Sequence, residues 1–525
     1  MAFSSTFVGI VAMLVCILAD QRTHGGKVLF VPSPDISSHW FSLAYVGQAL
    51  AGRGHAITAI VPESIVARRR MERPDFEFET FQDGETLSRL QAIDSQELSM
   101  VMNDGQVTFL TLLKLRYTWA RQTAKHCELL VGNSSLLGRL RAARYDTIAT
   151  DGAFQCGFIL AAMLEIPNVA HLVPMVHDSR ATGVPCPISY VPSPYSSFVD
   201  TMTFLERVQN VVSHLQTSAF LWLSASTHDE LARRHLGDGK ATLIRAMSQT
   251  DLWLDNADPL LDSPQPSMPN IVQVGGFHVK NATALSEDLK SFVEGSGNNG
   301  VVVVSFGTLI PAWPKRHAEV LAAAFSRLRQ RVVWRHDGES PPGLGNNTRL
   351  MKWLPQNDLL GHPKTRAFVT HSGRNSVYEA VYHGVPMVCL PIAWDQPGNA
   401  ARMVARGVGV SLNHFTLTTD ELYQAIMQVI TDKRYAERAG VLSRLYRDQP
   451  QPPMERLVWW IEHVIKHGGL PHLRSRAVDL PLYQYYLLDV AGFLIVIFSA
   501  GTTVVWLSCS FMCKKCRGGD KVKSH

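Results

Sequence analysis

The stretch WLPQNDLLGHPKTRAFVTHSGRNSVYEAVYHGVPMVCLPIAWDQ, residues 353–396, decides how the chain is read. Its apolar run Ala367-Phe368-Val369-Thr370 breaks at His371-Ser372-Gly373. It then passes into Asn375 to His383, a segment of helical composition that stops at Gly384 with Pro386 just beyond. A second apolar run, Met387 to Ile392, follows at once. The spacing predicts strand, tight turn, helix and strand, with the turn at the carboxyl end of the first strand. Open α/β sheets bind ligands there. The first N–H groups of a helix lack intrahelical partners and carry the positive end of its dipole, so a phosphate against Gly373 to Ser376 is favoured. His371, Asn375 and Ser376 add side-chain hydrogen bonds. Glu379 lies four residues after Asn375 on the same helix face, where a carboxylate suits the two hydroxyls of a ribose. Taken alone, the pattern is also that of an ordinary turn.

The flanks narrow the reading. Trp353-Leu354-Pro355-Gln356 and Asp395-Gln396 complete a pattern that closely resembles the donor-binding signature of the UDP-glycosyltransferases, specifically the UDP-glucuronosyltransferase superfamily of animals. The resemblance runs from Ser38-His39-Trp40 to the apolar segment near the end of the chain. Ser372 and Arg374 depart from it, standing where many members have glycine and a small or aromatic residue. The resemblance implies the GT-B architecture, an α/β fold of two doubly wound Rossmann-like domains facing a cleft, with a C-terminal transmembrane helix.

With 525 residues the chain is too long for one core, and two large domains are expected. Its 50 basic against 45 acidic residues leave a small excess, much of it in the last residues, so no nucleic-acid partner is implied. Phe7 to Ala19 is apolar, too short to span a bilayer, and reads as a secretory signal peptide. Val490 to Met512 carries no charge, is bounded by Asp489 and by Lys514-Lys515, and is long enough to span a membrane. The basic residues beyond it, Lys514, Lys515, Arg517, Lys521 and Lys523, place the tail in the cytosol and the bulk in the lumen, a single-pass type I arrangement. Lys521 and Lys523 resemble a dilysine retrieval signal of endoplasmic-reticulum membrane proteins. The expected organisation is a signal peptide at 1–25, an acceptor-binding domain at 26–265 and a UDP-sugar-binding domain at 266–440. Helices returning to the first domain at 441–486, the transmembrane helix at 487–512 and the tail at 513–525 complete it.

Cys127, Cys156, Cys186 and Cys389 are sparse for a lumenal region and read as buried thiols rather than a disulfide framework. Cys513-Lys-Lys-Cys516 lacks the second pair of a zinc site and reads as no site or as a palmitoylation site. Glycosylation sequons begin at Asn133, Asn281 and Asn346. No D-x-D carboxylate pair occurs, so a metal bridging the diphosphate is not indicated, and no cofactor beyond the co-substrate is expected.

In chain order, Lys27 to Pro32 is a buried strand, and Ser38-His39-Trp40 opens a helix that ends by Gly52. Ala56 to Val61 and Tyr145 to Thr150 are further strands, the latter ending at Asp151-Gly152. Parallel strands would bring His39 and Asp151 to one edge. By themselves the two read as a turn histidine and a cap. The resemblance makes His39 the base that deprotonates the acceptor and Asp151 its orienting carboxylate. Residues 173–210, rich in Pro, Ser and Tyr, form a long loop that resembles the wall of the family's acceptor pocket. A linker is expected over 255–269. Gly300 to Thr308 is then a strand running into a glycine turn and a helix, where Gly307 lets a phosphate approach and Thr308 donates to it. Trp353 offers a face for uracil, Gln356 a hydrogen bond to the base, and Asp395 with Gln396 bonds to the sugar hydroxyls.

The function so implied is inverting transfer, most favourably of glucuronate, from a UDP-sugar to the hydroxyl of a small lipophilic acceptor in the reticulum lumen. Glutamine at 396 points to a gluco-configured donor. UDP-glucose is the alternative donor, and an inactive hetero-oligomerising membrane subunit is the alternative of another class. Homo- or hetero-oligomerisation is left open.

Overall fold

Lys27–Val31 and Val301–Ser305 are short apolar runs without alternation, the pattern of strands covered on both faces, and each lies inside a parallel sheet. The computed structural model describes residues 25–34, 37–103, 108–172, 179–237, 241–308 and 310–518. All of the expected signal peptide but its last residue lies outside them, as do Lys521 and Lys523. The first sheet has the order β3-β2-β1-β4-β5-β6-β7. Its strands are β1 (Lys27–Val31), β2 (Ala56–Pro62), β3 (Glu77–Phe81), β4 (Thr147–Asp151), β5 (Asn168–Leu172), β6 (Leu252–Asp255) and β7 (Ile271–Gln273). The second has the order β10-β9-β8-β11-β12-β13. Here the strands are β8 (Val301–Ser305), β9 (Arg331–Arg335), β10 (Thr348–Met351), β11 (Thr365–Thr370), β12 (Met387–Cys389) and β13 (Gly409–Ser411).

In each sheet the order reverses beside the strand that begins it in sequence, between β1 and β4 and between β8 and β11. Such switch points leave a crevice at the carboxyl ends of parallel strands. The registers align those ends, pairing Val31 with Thr150 and Ser305 with Thr370. Alternate residues of each strand feed different cores. Val28 and Phe30 pack with Trp40 and Leu43, while Leu29 and Val31 pack with Ile148 and Phe158. Val301 and Val303 pack with Val377 and Tyr378, and Val302 and Val304 with Leu321 and Phe325. Each such fully buried side chain contributes about 1.5–3 kcal/mol of transfer free energy. The Pro453–His467 helix sends Leu457, Ile461 and Val464 into the Val28–Phe30 core, so the chain returns to the first sheet.

Several expectations are corrected. Strand β7 lies beyond the expected boundary at 265/266 and yet closes the first sheet, because Trp253 pairs with Ile271. The Lys433–Arg447 helix runs through the boundary at 440/441 and buries Ala439, Leu442 and Tyr446 in the second sheet's core. The loop expected to reach Asn210 ends at Thr203, whose capping box with Glu206 starts the Phe204–His235 helix. The helix after β8 begins only at Lys315. Cys127 and Cys156, expected as thiols, form a disulfide with a Cα separation of 5.3 Å. The two helices carrying them meet in the Leu29–Val31 core, a contact that spacing alone does not reveal.

The Leu488–Gly518 helix forms, with residues from Ser475 onward, a separate unit. Leu488–Cys516 is long and apolar enough to cross a membrane. The helix continues past the expected end at residue 512 and carries Lys514 and Lys515 on its last turns.

Candidate active site

β1 feeds the Ser37–Ala51 helix, whose first turn holds His39, and the neighbouring strand β4 ends in Asp151. Their side chains meet, with His39 Nδ1 2.9 Å from Asp151 Oδ2 and 3.1 Å from Oδ1. The Ser33 and Ala153 amides donate to the same carboxylate at 3.2 and 3.0 Å. Burial of Asp151 favours its neutral form, but His39, the Ala153 amide and His171 outweigh it and hold the carboxyl below its ordinary range. A carboxylate only accepts hydrogen bonds, so His39 donates to Asp151 through Nδ1–H, which leaves Nε2 as the ring nitrogen free to face a substrate. That is the arrangement of a base with its orienting partner. Pairing of β1 with β4 is what brings together two side chains 112 residues apart, a turn histidine and a cap.

At the second switch point β11 passes through Ser372, at φ +65°, into the Arg374–His383 helix, with Gly373 as N-cap and Gly384 at φ +69° closing it. A left-handed φ is where glycine is ordinarily required, which gives the departure at Ser372 its physical meaning. The N-cap has no side chain, so the first amides are left for a ligand. His371 lies against both Gly307 and Gly373; a Cβ at Gly307 would stand 2.6 Å from its Nε2. Burial, with Arg335 nearby, pushes the imidazolium down to about 4, leaving a neutral ring. Gly307 and Thr308 border the same edge, in a loop rather than at a helix start.

Gln356 Nε2 donates to Ser376 Oγ at 3.1 Å and to Glu379 Oε2 at 2.5 Å, leaving its Oε1 for a base. Burial pushes the Glu379 carboxyl up to about 7. Trp353, 59% exposed, stands between the ring of Phe41, 6.0 Å away, and the Arg335 guanidinium at 5.3 Å. Asp395 caps the Gln396–Ala405 helix and accepts from Asn399 at 2.6 Å. Gln396 differs from expectation. Its Oε1 accepts from the Ile392 and Ala393 amides at 2.8 and 3.2 Å, so only its NH₂ group remains for a sugar hydroxyl.

Residue types alone did not mark Arg335, which ends β9 at the same sheet edge and also binds the Gly307 carbonyl. Nor did they mark Asn256 and His278, which donate to the Asn375 side chain and carbonyl, each at 3.2 Å. Arg374, the other departure, is largely buried, and its Nη1 donates to both carboxylate oxygens of Asp262, at 2.8 and 2.7 Å. Asp262 sits in the segment between β6 and β7 and accepts from Tyr378 at 3.4 Å, with Arg402 Nε at 3.5 Å.

Two doubly wound sheets, with a His–Asp pair at one switch point and an open helix N-terminus at the other, define a GT-B glycosyltransferase. Solved structures of that fold agree. Os79 from O. sativa in complex with UDP matches with a TM-score of 0.56 at 17% identity, covering 83% of this chain and all of its own. CalG4, the calicheamicin glycosyltransferase, matches with 0.55 at 17% identity, covering 85% of this chain and 99% of its own. The family model described as UDP-glucoronosyl and UDP-glucosyl transferase matches residues 26–523, and the chain belongs to this family. UDP-glucuronosyltransferase 1A5 of Rattus norvegicus is 38% identical over 531 residues, 100% of this chain and 99% of its own. UDP-glucuronosyltransferase 1A1 of Homo sapiens is 36% identical over 98% of this chain and 97% of its own.

Proposed function

We propose that the chain transfers glucuronate from UDP-glucuronate to the hydroxyl of a small lipophilic acceptor, with inversion at the anomeric carbon. The observation that carries this reading is the 2.9 Å contact of His39 with Asp151, on the sheet edge facing the Arg374–His383 helix. His39 Nε2 takes the acceptor proton, the acceptor oxygen bonds to the anomeric carbon, and UDP leaves from the opposite face. A single displacement needs no enzyme nucleophile. Charge developing on the diphosphate is met by the free amides after Gly373 and by His371, Asn375, Ser376 and Thr308. Trp353 stacks on uracil, with Gln356 at the base edge, Glu379 at the ribose, and Asp395 with the NH₂ of Gln396 at the sugar.

Glucuronate is supported by the names of the relatives. UDP-glucose is favoured by a different observation, namely that Arg374 and Arg402, the largely buried cations whose fields reach Asp395, face Asp262. Incubating the full chain in microsomes with UDP-glucuronate, UDP-glucose and UDP-galactose against phenols, steroids, bile acids and ceramide separates these readings. Turnover with UDP-glucuronate is expected; preference for UDP-galactose overturns the gluco-configured assignment, and no turnover with any donor favours an inactive partner subunit.

The reading extends to place. The apolar Leu488–Cys516 helix, with Lys514 and Lys515 in its last turns, supports a single-pass anchor in the reticulum membrane with the bulk lumenal. Exposed Asn281 and Asn346 and the half-buried Asn133 are then glycan acceptors, although Asn133 also caps a helix by accepting from the Leu136 amide at 3.0 Å. Protease added outside intact microsomes should trim only the tail; digestion of the bulk contradicts the orientation.

A further inference from the structure

The loop that presents Asp395 and Gln396 is held at three points, and one of them belongs to the other half of the molecule. Within the loop, Gln396 Oε1 ties the helix start to the Ile392 and Ala393 amides. Toward β11, Asn399 Nδ2 donates to the Ser372 carbonyl at 2.9 Å. Between these ties stands Trp394, a bulky residue at φ +56°, a conformation kept only where surroundings enforce it. Its indole Nε1 donates to Glu97 Oε1 at 3.1 Å.

Glu97 lies on the Thr86–Asn103 helix of the first half, is buried, and accepts from Arg116 Nη2 at 2.5 Å. That helix is itself seated on the second half. Met102 enters the core that contains Val302 and Val304, and the His414 ring lies between the Val101 and Pro391 carbonyls, 3.0 Å from each. The Ser196 carbonyl would stand 2.9 Å from a Cβ at Gly398, so the first half also abuts the helix that follows the loop.

We propose that Glu97 is a positioning residue for the donor sugar. Held by Arg116, it fixes the Trp394 indole and with it the backbone that aims Asp395 and the Gln396 NH₂. The fit of the sugar end of a nucleotide sugar is thereby set partly from the acceptor side of the cleft. This rests on the transferase reading above.

The test uses the full chain in membranes and compares the KM for UDP-sugar with inhibition by UDP, which lacks the sugar. Trp394→Phe keeps the ring and loses the donor; Glu97→Ala loses the acceptor; Glu97→Gln keeps a carbonyl oxygen in its place. The two losses should each raise the UDP-sugar KM about ten-fold, the loss of one well-made hydrogen bond. UDP inhibition should stay within about two-fold, Glu97→Gln should recover most of the KM, and the double variant should be no worse than either single one. An unchanged KM for Trp394→Phe, a parallel loss of UDP inhibition, or additive losses overturns the assignment. A wild-type chain that turns over no UDP-sugar instead contradicts the transferase reading itself.

Discussion

The side-chain amide of Asn375 stands 3.4 Å from the Ser42 hydroxyl, joining the helix assigned to the donor phosphates to the helix that carries His39. Ser42 is three residues beyond His39, on the same face and one turn deeper. Asn256 and His278 reach Asn375 from the segments around β6 and β7. Groups from the first half thus converge on one residue in the first turn of the Arg374–His383 helix, and the spacing between the proposed base and the proposed phosphate site is set by these side-chain contacts.

The ion network behind that helix should be among the most sensitive points of the fold. Asp262→Ala removes the partner of the largely buried Arg374 and leaves an uncompensated charge. Breaking such a pair costs about 3–5 kcal/mol. Denaturant unfolding should show a loss of this size, together with weaker UDP binding because Arg374 opens the donor helix. A loss under about 1 kcal/mol, the range of an exposed pair, contradicts this account.

Glu379 gives a pH dependence. Its carboxyl is raised from an ordinary 4.5 to about 7, chiefly by burial, so between these values the folded chain binds more protons than the unfolded one. This contribution to stability is fully present below about 4.5 and is lost as pH rises through about 7, with an upper bound of roughly 3 kcal/mol. Glu379→Gln should abolish the loss, so its melting temperature should gain on wild type as pH rises from 5 to 8. UDP binding through the carboxylate should strengthen over the same range in wild type and stay flat in the variant. Parallel melting curves for the two proteins contradict the assignment.

The strand-turn-helix units were legible because their signals are local. The apolar run ending at Thr370, the helix stop at Gly384 and the His39 helix all fell where spacing placed them. What the sequence hid depends on partners distant along the chain. The strand expected from Ile271 to Val274 is present as β7, but its place in the first sheet is set by pairing with β6, and Cys127 finds Cys156 only once two helices pack. Gln396 looked like a sugar ligand on both its groups, yet its oxygen is used by amides four and three residues earlier. Arg374 looked like an anomaly until Asp262 was brought beside it.

The disulfide should stabilise measurably. Its partners lie 29 residues apart, and closing such a loop contributes about 3–4 kcal/mol in the chain-entropy model. Cys127→Ser/Cys156→Ser should lower the unfolding midpoint accordingly. Thiol labelling of the denatured, unreduced chain should leave both cysteines unlabelled; labelling of either contradicts the bond.

The central claim is that His39, oriented by Asp151, removes the acceptor proton. It is tested most directly by measuring, for wild type and His39→Ala in the same membranes, the turnover of UDP-sugar with a phenolic acceptor alongside UDP affinity. The account predicts a fall in turnover of about two to four orders of magnitude with UDP affinity unchanged. Turnover within a few fold of wild type contradicts it.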